Sequence, residues 1–557
     1  MKLSAMQIQA IVDATKTPTP EQVRVVEAPR RPLLVVAGAG SGKTETMSMR
    51  VLWLLANHPD LTPASILGLT FTRKAAGELG DRLRERIRLL SREMPQVRER
   101  LDEDPVALTY NSFAERIVSE HGMRIGIDPD FSMLSEAGAL DLMTQIVEAW
   151  PTDLDEELRP IDAVPQVLHL AGELAEHGFT VERAREALEE LGRELSQVGD
   201  TNPEARNLLR ANRRRLAFLG PIATYQQRKR EMGVLDFSDQ LVLATRIVRE
   251  APAVRAALRE EFRAVLLDEF QDTSVIQMEL LSTLFGDHAV TAVGDPNQAI
   301  YGWRGASASS LETFLDRFQS GAPEAGQTLT LSTAWRNDVS ILDAANRVAA
   351  PLREVASYQQ GKDALKAQSP VLVPRKGAGQ GTVEIAYTQV YEDALAATVD
   401  FVKRVRSQAT KDGKRRTVAV LSRRRKDFPF IDAALREAGI PTEIVGLGGL
   451  LDQPAVQDVR AALELAYDVA ASPWLARLLA GIDLGATDLI ALCDRARALA
   501  REEGASPHQA VLLDAVDNPP NPGWAVEGRP AISEEAARRV RLLGERLRAV
   551  REGVGRS

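Results

Sequence analysis

The chain has 557 residues, of which 44% are apolar and 26% charged, and it contains one cysteine, Cys493. Domains typically hold about 100 to 200 residues, so this length predicts a multi-domain globular protein. One cysteine excludes an internal disulfide and a cysteine-based zinc or iron-sulfur site within the chain, and we interpret Cys493 as a small core residue. The net charge of -9 excludes DNA binding by bulk positive charge, so a nucleic-acid site must be a local groove.

The N-terminal segment MKLSAMQIQAIVDATKTPTPEQ lacks the basic and apolar regions of a secretion signal. The sequence also lacks any run of about 18 apolar residues of the kind that crosses a bilayer. We therefore expect a cytoplasmic protein that has no membrane contact.

Four short apolar runs predict strands of one sheet. The segment LLVVAGAGSGKTETMSMRVLWLL from residue 33 indicates a strand, a glycine loop and a helix. A strand at 66–71 precedes an amphipathic helix at 75–87, and two further strands are predicted within AVLLDE (264–269) and AVTAVGD (289–295). Strands that alternate with helices favour an α/β fold with a parallel, doubly wound sheet.

Helical patterns dominate the chain between about residues 117 and 230, which predicts an all-helical insertion within the α/β domain. Acidic side chains are concentrated in one part of this insertion and arginines in another. Two helix faces exposed to solvent would produce the same separation, so the charges alone do not indicate a binding site. A second α/β unit is predicted after it, with a strand at 417–423, a helix that ends at Gly439 and a further strand. Helices are expected again from about residue 472.

The segment AGAGSGKT at 37–44 has the residues that phosphate binding requires. The segment follows a predicted strand and offers backbone N–H groups at a helix N-terminus. It also has glycines where the chain must come close to the phosphates and a lysine that can reach the outer phosphates. Lys43 is predicted to contact the β- and γ-phosphates and the Thr44 hydroxyl to bind Mg²⁺. A chance glycine turn is the alternative, and the flanking elements argue against it. The backbone predicted to surround the phosphates belongs to Ala39, Gly40, Ser41 and Gly42.

An ATP-hydrolysing site also needs carboxylates at the end of a neighbouring strand, and LLDEFQDT places Asp268 and Glu269 there. Asp268 suits the Mg²⁺ shell and Glu269 suits polarisation of the attacking water. An isolated Asp-Glu pair is more often a solvated loop, so this assignment depends on the lysine loop.

The segment VGDPNQAIYGWRGAS follows the last of these strands and combines Gln298, Tyr301, Trp303 and Arg304 in a polar loop. Core aromatic residues rarely occur among glycine, asparagine, glutamine and arginine. The alternative to a core position is a platform on which nucleic-acid bases stack.

Seven segments of the sequence resemble motifs of the UvrD/Rep group of superfamily 1A DNA helicases. In order along the chain they are PEQ, AGAGSGKT, LTFTRKAAGEL, TYNSFAERI, LLDEFQDT, AVGDPNQAIYGWRGA and LSTAWRND. The resemblance covers roughly residues 20 to 470. Four segments are also similar to the AdnB-type motor-nuclease subunits of bacterial helicase-nucleases that process double-strand breaks. They are GAGSGKTETM, LGLTFTRKAAG, GWRGASASSL and VGLGGLLDQPAVQDV.

This resemblance implies specific roles for individual residues. Gln22 would contact the adenine edge and Trp335 the adenine face, while Arg336 and Gln298 would address the γ-phosphate. Asn111 stands where such helicases commonly have histidine, which weakens the inferred phosphate contact. The residues implied to contact DNA are Thr70, Phe71, Thr72, Arg73, Asn111, Tyr301, Trp303 and Arg304.

The resemblance also implies RecA-like P-loop ATPase domains with helical insertions. Residues 1–116 and 231–325 would form the first such domain, 117–230 its insertion, 326–470 part of the second domain and 471–557 the start of a second insertion. No later helicase motif and no nuclease signature is recognisable after residue 470. We therefore expect the N-terminal part of a longer protein, able to bind ATP and Mg²⁺ but slow to hydrolyse ATP and unable to unwind a duplex.

The resemblance favours an ATP-driven 3′ to 5′ single-strand DNA translocase in DNA repair. Its implied partners are single-stranded DNA, single-strand/duplex junctions and a second helicase-nuclease subunit in a heterodimer. One alternative is a P-loop ATPase that switches a protein partner, which leaves the segment from Tyr301 to Arg304 without a role. Another is a structural subunit with a vestigial site, against which Lys43, Asp268 and Arg336 argue.

Overall fold

The structure is a computed structural model that describes residues 2–94, 98–128, 131–155, 158–197, 203–302, 305–306, 310–319, 326–358, 368–408, 413–445, 454–467, 472–502, 504 and 510–554. The chain divides into two compact units, Met1–Glu384 and Ile385–Ser557. Trp303 and Arg304 lie outside the described residues.

The strands all belong to the first unit. They are β1 (Leu33–Ala37), β2 (Ile66–Thr70), β3 (Val106–Thr109), β4 (Ser132–Met133), β5 (Val234–Leu235), β6 (Ala264–Leu267), β7 (Val290–Gly294), β8 (Gln327–Leu331), β9 (Thr333–Ala334) and β10 (Val373–Pro374).

The helices of the first unit precede, connect and follow these strands. They are α1 (Ala5–Asp13), α2 (Pro20–Val26), α3 (Lys43–Asn57), α4 (Arg73–Glu93), α5 (Tyr110–His121), α6 (Glu136–Glu148), α7 (Pro160–Glu176), α8 (Val181–Gln197), α9 (Pro203–Met232), α10 (Phe237–Glu250), α11 (Pro252–Glu261), α12 (Val275–Phe285), α13 (Phe314–Phe318) and α14 (Val339–Tyr358). No helix within the described ranges combines the length and hydropathy needed to cross a bilayer.

The central sheet of the first unit has six strands in the order β3-β2-β6-β7-β1-β8. Every pairing within it is parallel, which confirms the predicted α/β fold. Strands β1, β2, β6 and β7 are buried along their whole length, as expected for parallel strands covered on both faces. Their carboxyl ends lie at one edge of the sheet, so the loops that follow them are neighbours.

Two apolar layers cover the sheet because alternate residues of each strand point to opposite faces. Leu34 and Val36 of β1 pack in the layer that contains Phe113 of α5 and Leu281 of α12. Their neighbours Leu33 and Val35 pack in the opposite layer, which contains residues of α1, α3 and α4. This double cover explains why the strands read as continuous apolar runs in the sequence.

Helices α6 to α9 share a separate apolar core that includes Met143, Val167, Leu219 and Ile222. They occupy the stretch between residues 117 and 230 for which helices were predicted. The short strands β4 and β5 pair in parallel where this stretch leaves and rejoins the rest of the unit.

Strand β8 pairs with β1 at the edge of the central sheet, from Gln327 opposite Leu33 to Leu331 opposite Ala37. The sheet therefore extends past residue 325, the expected end of the first RecA-like domain. Next along the chain, β9 pairs in parallel with β10.

The second unit contains α15 (Tyr391–Ser407), α16 (Phe428–Glu437), α17 (Pro454–Tyr467), α18 (Ser472–Gly481), α19 (Ala486–Glu502), α20 (Leu512–Asp517) and α21 (Glu534–Val554). Helix α16 is followed at Gly439 by a left-handed residue, the conformation that often ends helices.

The strand predicted at 417–423 is wrong, since no strand occurs among the described residues of the second unit. The strand predicted after Gly439 is absent from residues 440–445, and the segment that follows lies outside the described residues. A strand is stable only when its backbone pairs with another, and no described segment of this unit supplies such a ladder. Leu421 is accordingly 93% exposed despite its strand-like sequence.

Candidate functional site

The loop between β1 and α3 forms an open cradle of backbone N–H groups. Gly40 and Gly42 have left-handed backbone angles, with φ of 72° and 82°, which favour glycine. Gly42 begins α3 without any side-chain cap, and the buried Ser41 hydroxyl has no hydrogen-bond partner among the described residues. Unpartnered donors at a helix N-terminus are the arrangement that binds phosphate.

Two residues that are distant in sequence lie against this cradle. The Trp335 N–H donates to the Gly40 carbonyl at 2.8 Å, and its ring lies 3.6 Å from the position a Cβ would take on Gly42. Trp335 is 42% exposed, so one surface of the ring is open. The exposed Arg336 follows it, with its Cβ 3.0 Å from the corresponding point on Gly40.

Gln22 also lies against the cradle, with Nε2 3.2 Å from the Cβ position of Gly42, the same point that the Trp335 ring approaches. Its side chain also completes the cap of α2. Oε1 accepts from the Thr19 N–H at 2.9 Å, and Nε2 donates to the Thr46 hydroxyl at 3.3 Å. These bonds fix the amide beside the loop, and each amide atom retains capacity for one further hydrogen bond.

The carboxylates after β6 face the lysine of the cradle. Lys43 Nζ lies 3.1 Å from Glu269 Oε2. Asp268 is buried, and one of its carboxylate oxygens accepts from the Glu269 N–H at 3.0 Å. Burial raises the pKa of the Asp268 carboxyl to about 6, and the Glu269 carboxylate adds to this rise while Lys43 opposes it.

A buried carboxylate of this kind gains stability from a cation, because burial penalises its charged form. Asp268 and the half-buried Thr44 therefore fit a Mg²⁺ ion, which is typically held by one or two carboxylates and by phosphate oxygens. The N-terminus of α3 and the Ser41 hydroxyl, which has no partner among the described residues, fit a nucleotide's phosphates.

Sequence reasoning missed Gln271, which is 3% exposed and lies between β6 and β7. Its Nε2 donates to Glu269 Oε2 at 2.9 Å and to Asp272 Oδ2 at 3.3 Å. Its Oε1 accepts from the Asp295 N–H at 3.1 Å. The motif LLDEFQDT contains Gln271, but only packing shows which groups its amide contacts.

Gln298 lies in a single 3₁₀ turn, Pro296–Gln298, directly after β7. Its Nε2 donates to Asp295 Oδ2 at 2.7 Å. Asp295 is buried and also accepts from the Asn297 N–H. The predicted γ-phosphate residue is therefore held by the Asp295 carboxylate, and the backbone N–H of Asp295 donates to Gln271.

Phe71 and Tyr301, two of the aromatic residues predicted to contact DNA, meet in the loops that follow strands of the central sheet. The rings of Phe71 and Tyr301 stack with centroids 4.5 Å apart and planes inclined by 27°. Thr72 caps α4 by accepting from the Ala75 N–H at 3.1 Å, and Arg73 beside it is exposed. Thr70 is buried, with a hydroxyl that has no partner in the described part of the chain.

Asn111 lies at the start of α5, where its Oδ1 accepts from Gln277 Nε2 at 3.2 Å. Asn111, Phe71 and Arg73 line a cavity of about 200 Å³ together with Asp272. The structure thus brings Phe71, Arg73, Asn111 and Tyr301 into one neighbourhood.

Comparison with known protein families and sequences agrees with this geometry. Residues 18–319 match the UvrD/REP helicase N-terminal domain. The chain is 27% identical over 448 residues to DNA helicase II of Escherichia coli (strain K12), covering 80% of this chain and 54% of that protein. It is 26% identical over 453 residues to the ATP-dependent DNA helicase PcrA of Staphylococcus aureus (strain Mu50), covering 80% and 53% respectively.

The chain spans about half the length of the curated relatives it matches. The matched domain nevertheless includes the cradle, the carboxylates after β6 and the Tyr301 loop. Because that match also extends over more than half of the sequence, the chain belongs to the UvrD/REP helicase family.

Proposed function

We propose that this chain is the motor portion of an ATP-dependent DNA helicase that moves along single-stranded DNA. The observation that carries this proposal is a continuous set of contacts from Lys43 and Glu269, through Gln271 and Asp295, to Gln298. Tyr301, stacked on Phe71, follows three residues later. A nucleotide site and a base-stacking site are thus built on adjacent loops, which a motor needs and a simple switch does not.

In this proposal the nucleotide is ATP. The Gly40–Gly42 backbone would hold its phosphates, Lys43 would contact the outer phosphates, and Trp335 and Gln22 would contact the adenine. Mg²⁺, held by Thr44 and Asp268, supplies charge neutralisation at the phosphates. Glu269 would take a proton from the attacking water, and Arg336 and Gln298 would stabilise charge on the γ-phosphate.

The DNA path in this proposal passes the stacked rings of Phe71 and Tyr301. Stacking is tolerant of sequence because every base has a π-face, so we expect little sequence preference. Thr70, Thr72, Arg73 and Asn111 would contact the backbone, with the N-terminus of α4 favouring a phosphate. Trp303 and Arg304 are proposed as further members of this surface on the sequence motif alone.

We further propose 3′ to 5′ movement and an AdnB-like role in processing double-strand breaks, together with a second helicase-nuclease subunit. In this assignment residues 1–116 and 231–325 form one RecA-like domain and 117–230 its insertion. Residues 326–470 belong to a second RecA-like domain and 471–557 to its insertion. The support is the resemblance of the motifs, including VGLGGLLDQPAVQDV.

The direction of movement can be tested by displacement of streptavidin from a biotinylated oligonucleotide in the presence of ATP. A 3′ to 5′ translocase displaces streptavidin from the 5′ end and leaves a 3′-end complex intact. Preferential displacement from the 3′ end would contradict the direction, and displacement from neither end would contradict the motor itself.

A further inference from the structure

Gln271 is a side chain that joins three parts of this site. It contacts the carboxylate beside Lys43, the backbone at the end of β7 and the carboxylate of Asp272. Its amide orientation follows from these partners. A reversed amide would direct its oxygen at two carboxylates and its NH₂ group at a backbone N–H.

The approach of β7 to Gln271 is unusually close. A Cβ on Gly294 would lie 2.6 Å from Gln271 Oε1, a distance that real Cβ atoms essentially never show. Glycine at this position therefore permits the amide to reach the Asp295 N–H. The Asp295 carboxylate in turn accepts from Gln298, so a displacement of the Gln271 amide acts on the loop that leads to Tyr301.

A second branch runs through Asp272. Its carboxylate is buried next to Gln271, and its pKa is raised to about 6 by burial and by Glu269. The N–H of Ile300, the residue before Tyr301, lies close enough to the Asp272 carboxylate to oppose that rise. Both branches from Gln271 thus end within a few residues of the stacked rings.

At the nucleotide side, Lys43 and Gln271 donate to the same oxygen, Glu269 Oε2. Glu269 also has a left-handed backbone, with φ of 49°, a strained conformation for a non-glycine residue that persists only where the surrounding structure holds it. A phosphate that draws Lys43 away leaves Gln271 as the side-chain donor to this oxygen. The Gln271 amide therefore shares a carboxylate oxygen with the lysine that is expected to contact the nucleotide.

We propose that Gln271 is the positioning residue that couples nucleotide binding to binding of single-stranded DNA. This inference rests on the proposed function, because it requires both ligands. Gln271 touches neither ligand itself. Its effect should appear in how each ligand changes the affinity for the other, and coupling of this kind typically amounts to about 5- to 150-fold.

The test compares the wild-type whole protein with Gln271→Met, which keeps the length of the side chain and removes its hydrogen bonds. The control is Gln9→Met, since Gln9 is also buried, at 4% exposure, but lies in α1 and donates to the Asp13 carbonyl. The dissociation constant of oligo-dT is measured with and without a non-hydrolysable ATP analogue, and that of the analogue with and without oligo-dT.

In Gln271→Met we expect the change in oligo-dT affinity on adding the analogue to shrink to within about twofold, with each separate affinity within about threefold of wild type. Gln9→Met should retain the wild-type coupling. Unchanged coupling in Gln271→Met would overturn the inference, and so would a parallel loss of both separate affinities, which indicates a merely structural role.

A second variant, Gln271→Glu, keeps the inference testable if the methionine variant does not fold. Its carboxyl would face Glu269, Asp272 and the Asp295 backbone, with Lys43 as the nearest cation, so it should be protonated more readily than usual. Coupling in this variant, divided by wild-type coupling at the same pH, should therefore recover partly as the pH falls from 8 to 6, because a protonated carboxyl can donate to one carboxylate and accept from the Asp295 N–H. The comparison with wild type removes the effect of Asp268 and Asp272, which titrate in the same range. Coupling that is independent of pH in this variant would count against the inference.

The proposed function would fail in a different way. Wild type and Gln9→Met would then lack oligo-dT binding or any effect of oligo-dT on nucleotide affinity, whatever the residue at position 271.

Discussion

At the scale of single residues, the site depends on charged groups held in partly buried positions. Lys43 reaches the carboxylates after β6 although those residues are far apart in sequence. The side chain of Lys43 is only 12% exposed, and that of Glu269 is 38% exposed. Such groups contribute to binding and chemistry more than to stability, because their favourable partners are the phosphates they are expected to meet.

Replacement of Lys43 by alanine should reduce ATP turnover by at least about 10³-fold, since the lysine is expected to stabilise charge on the phosphates. Asp268→Asn should do the same by weakening the Mg²⁺ shell. Steady-state ATPase assays on the whole protein measure the effect, with Lys74→Ala as the control because the Lys74 side chain is 86% exposed. Wild-type turnover in Lys43→Ala would contradict the assignment of the cradle.

The pKa of Asp268 predicts how stability changes with pH. Its folded value of about 6 exceeds the ordinary value of 3.8, so the folded state binds this proton more tightly than the unfolded state. The contribution of Asp268 to the free energy of unfolding is therefore largest at and below about pH 4. It decreases by up to about 3 kcal/mol as the pH rises through the folded pKa of about 6. In Asp268→Asn this loss is absent.

Thermal unfolding without ligand should therefore show the stability of Asp268→Asn rising relative to wild type between pH 4 and pH 7. Asp102→Asn, which changes an exposed carboxylate, should show no such trend. A constant difference between Asp268→Asn and wild type at all pH values would show that the carboxyl is not held in its neutral form by burial.

Tyr301→Ala should weaken binding of single-stranded oligonucleotides by about 1 to 3 kcal/mol, the usual contribution of one base-aromatic stack. Tyr301→Phe is the matched control, because it keeps the ring that stacks on Phe71. Fluorescence anisotropy with oligo-dT and oligo-dA would measure both variants. Equal affinity of Tyr301→Ala and wild type for both oligonucleotides would exclude Tyr301 from the DNA path.

At the scale of secondary-structure elements, the sequence predicted the central strands and missed the edges. Strands β1, β2, β6 and β7 are continuous apolar runs because both of their faces are buried. Edge strands β3 and β8 are partly exposed, so their sequences, VALT and QTLTL, carry no such signal. The run TVAVLSR has a strand-like composition, yet it lacks a partner strand in the described part of its unit.

The sequence predicted those site residues that belong to a recognisable motif. It missed the residue whose role depends on contacts between two loops. Lys43, Asp268 and Glu269 follow from motifs with known phosphate chemistry. Gln271 was overlooked because a buried amide has no distinctive spacing in the sequence. Its importance follows from hydrogen bonds between two loops, which sequence reasoning could not supply without the register of β6 against β7.

Helix α3 is attached to its surroundings by Arg50, a fully buried arginine. It donates to the carbonyls of Val25, Ala28 and Pro29 at the end of α2 and to the Thr291 hydroxyl of β7. Burial lowers its pKa to about 10, which still leaves it protonated at neutral pH. The helix that begins at the cradle is thereby tied to the helix that carries Gln22.

Arg50→Met should lower the free energy of unfolding by about 3 to 5 kcal/mol, because it leaves several buried carbonyls without donors. Chemical denaturation with far-UV circular dichroism measures this change. Arg88→Met in α4 removes an exposed arginine and should change stability by less than about 0.5 kcal/mol. A similarly small effect of Arg50→Met would mean that these hydrogen bonds contribute little.

At the scale of the whole molecule, an acidic chain is proposed to act on a polyanion. The net charge is -9, so long-range attraction does not favour DNA. Binding must then come from local features, namely the stacked rings of Phe71 and Tyr301, the exposed Arg73 and the N-terminus of α4. Affinity that depends on stacking more than on charge should decrease only moderately with salt.

The proposed motor couples ATP hydrolysis to single-stranded DNA, and the effect of DNA on the rate of hydrolysis tests this coupling. Steady-state ATPase activity of the whole protein is recorded without DNA and with saturating oligo-dT. We predict that oligo-dT raises the rate at least about tenfold, as a coupling free energy above about 1.4 kcal/mol would require. Equal rates with and without oligo-dT, in a protein that hydrolyses ATP, would contradict the account.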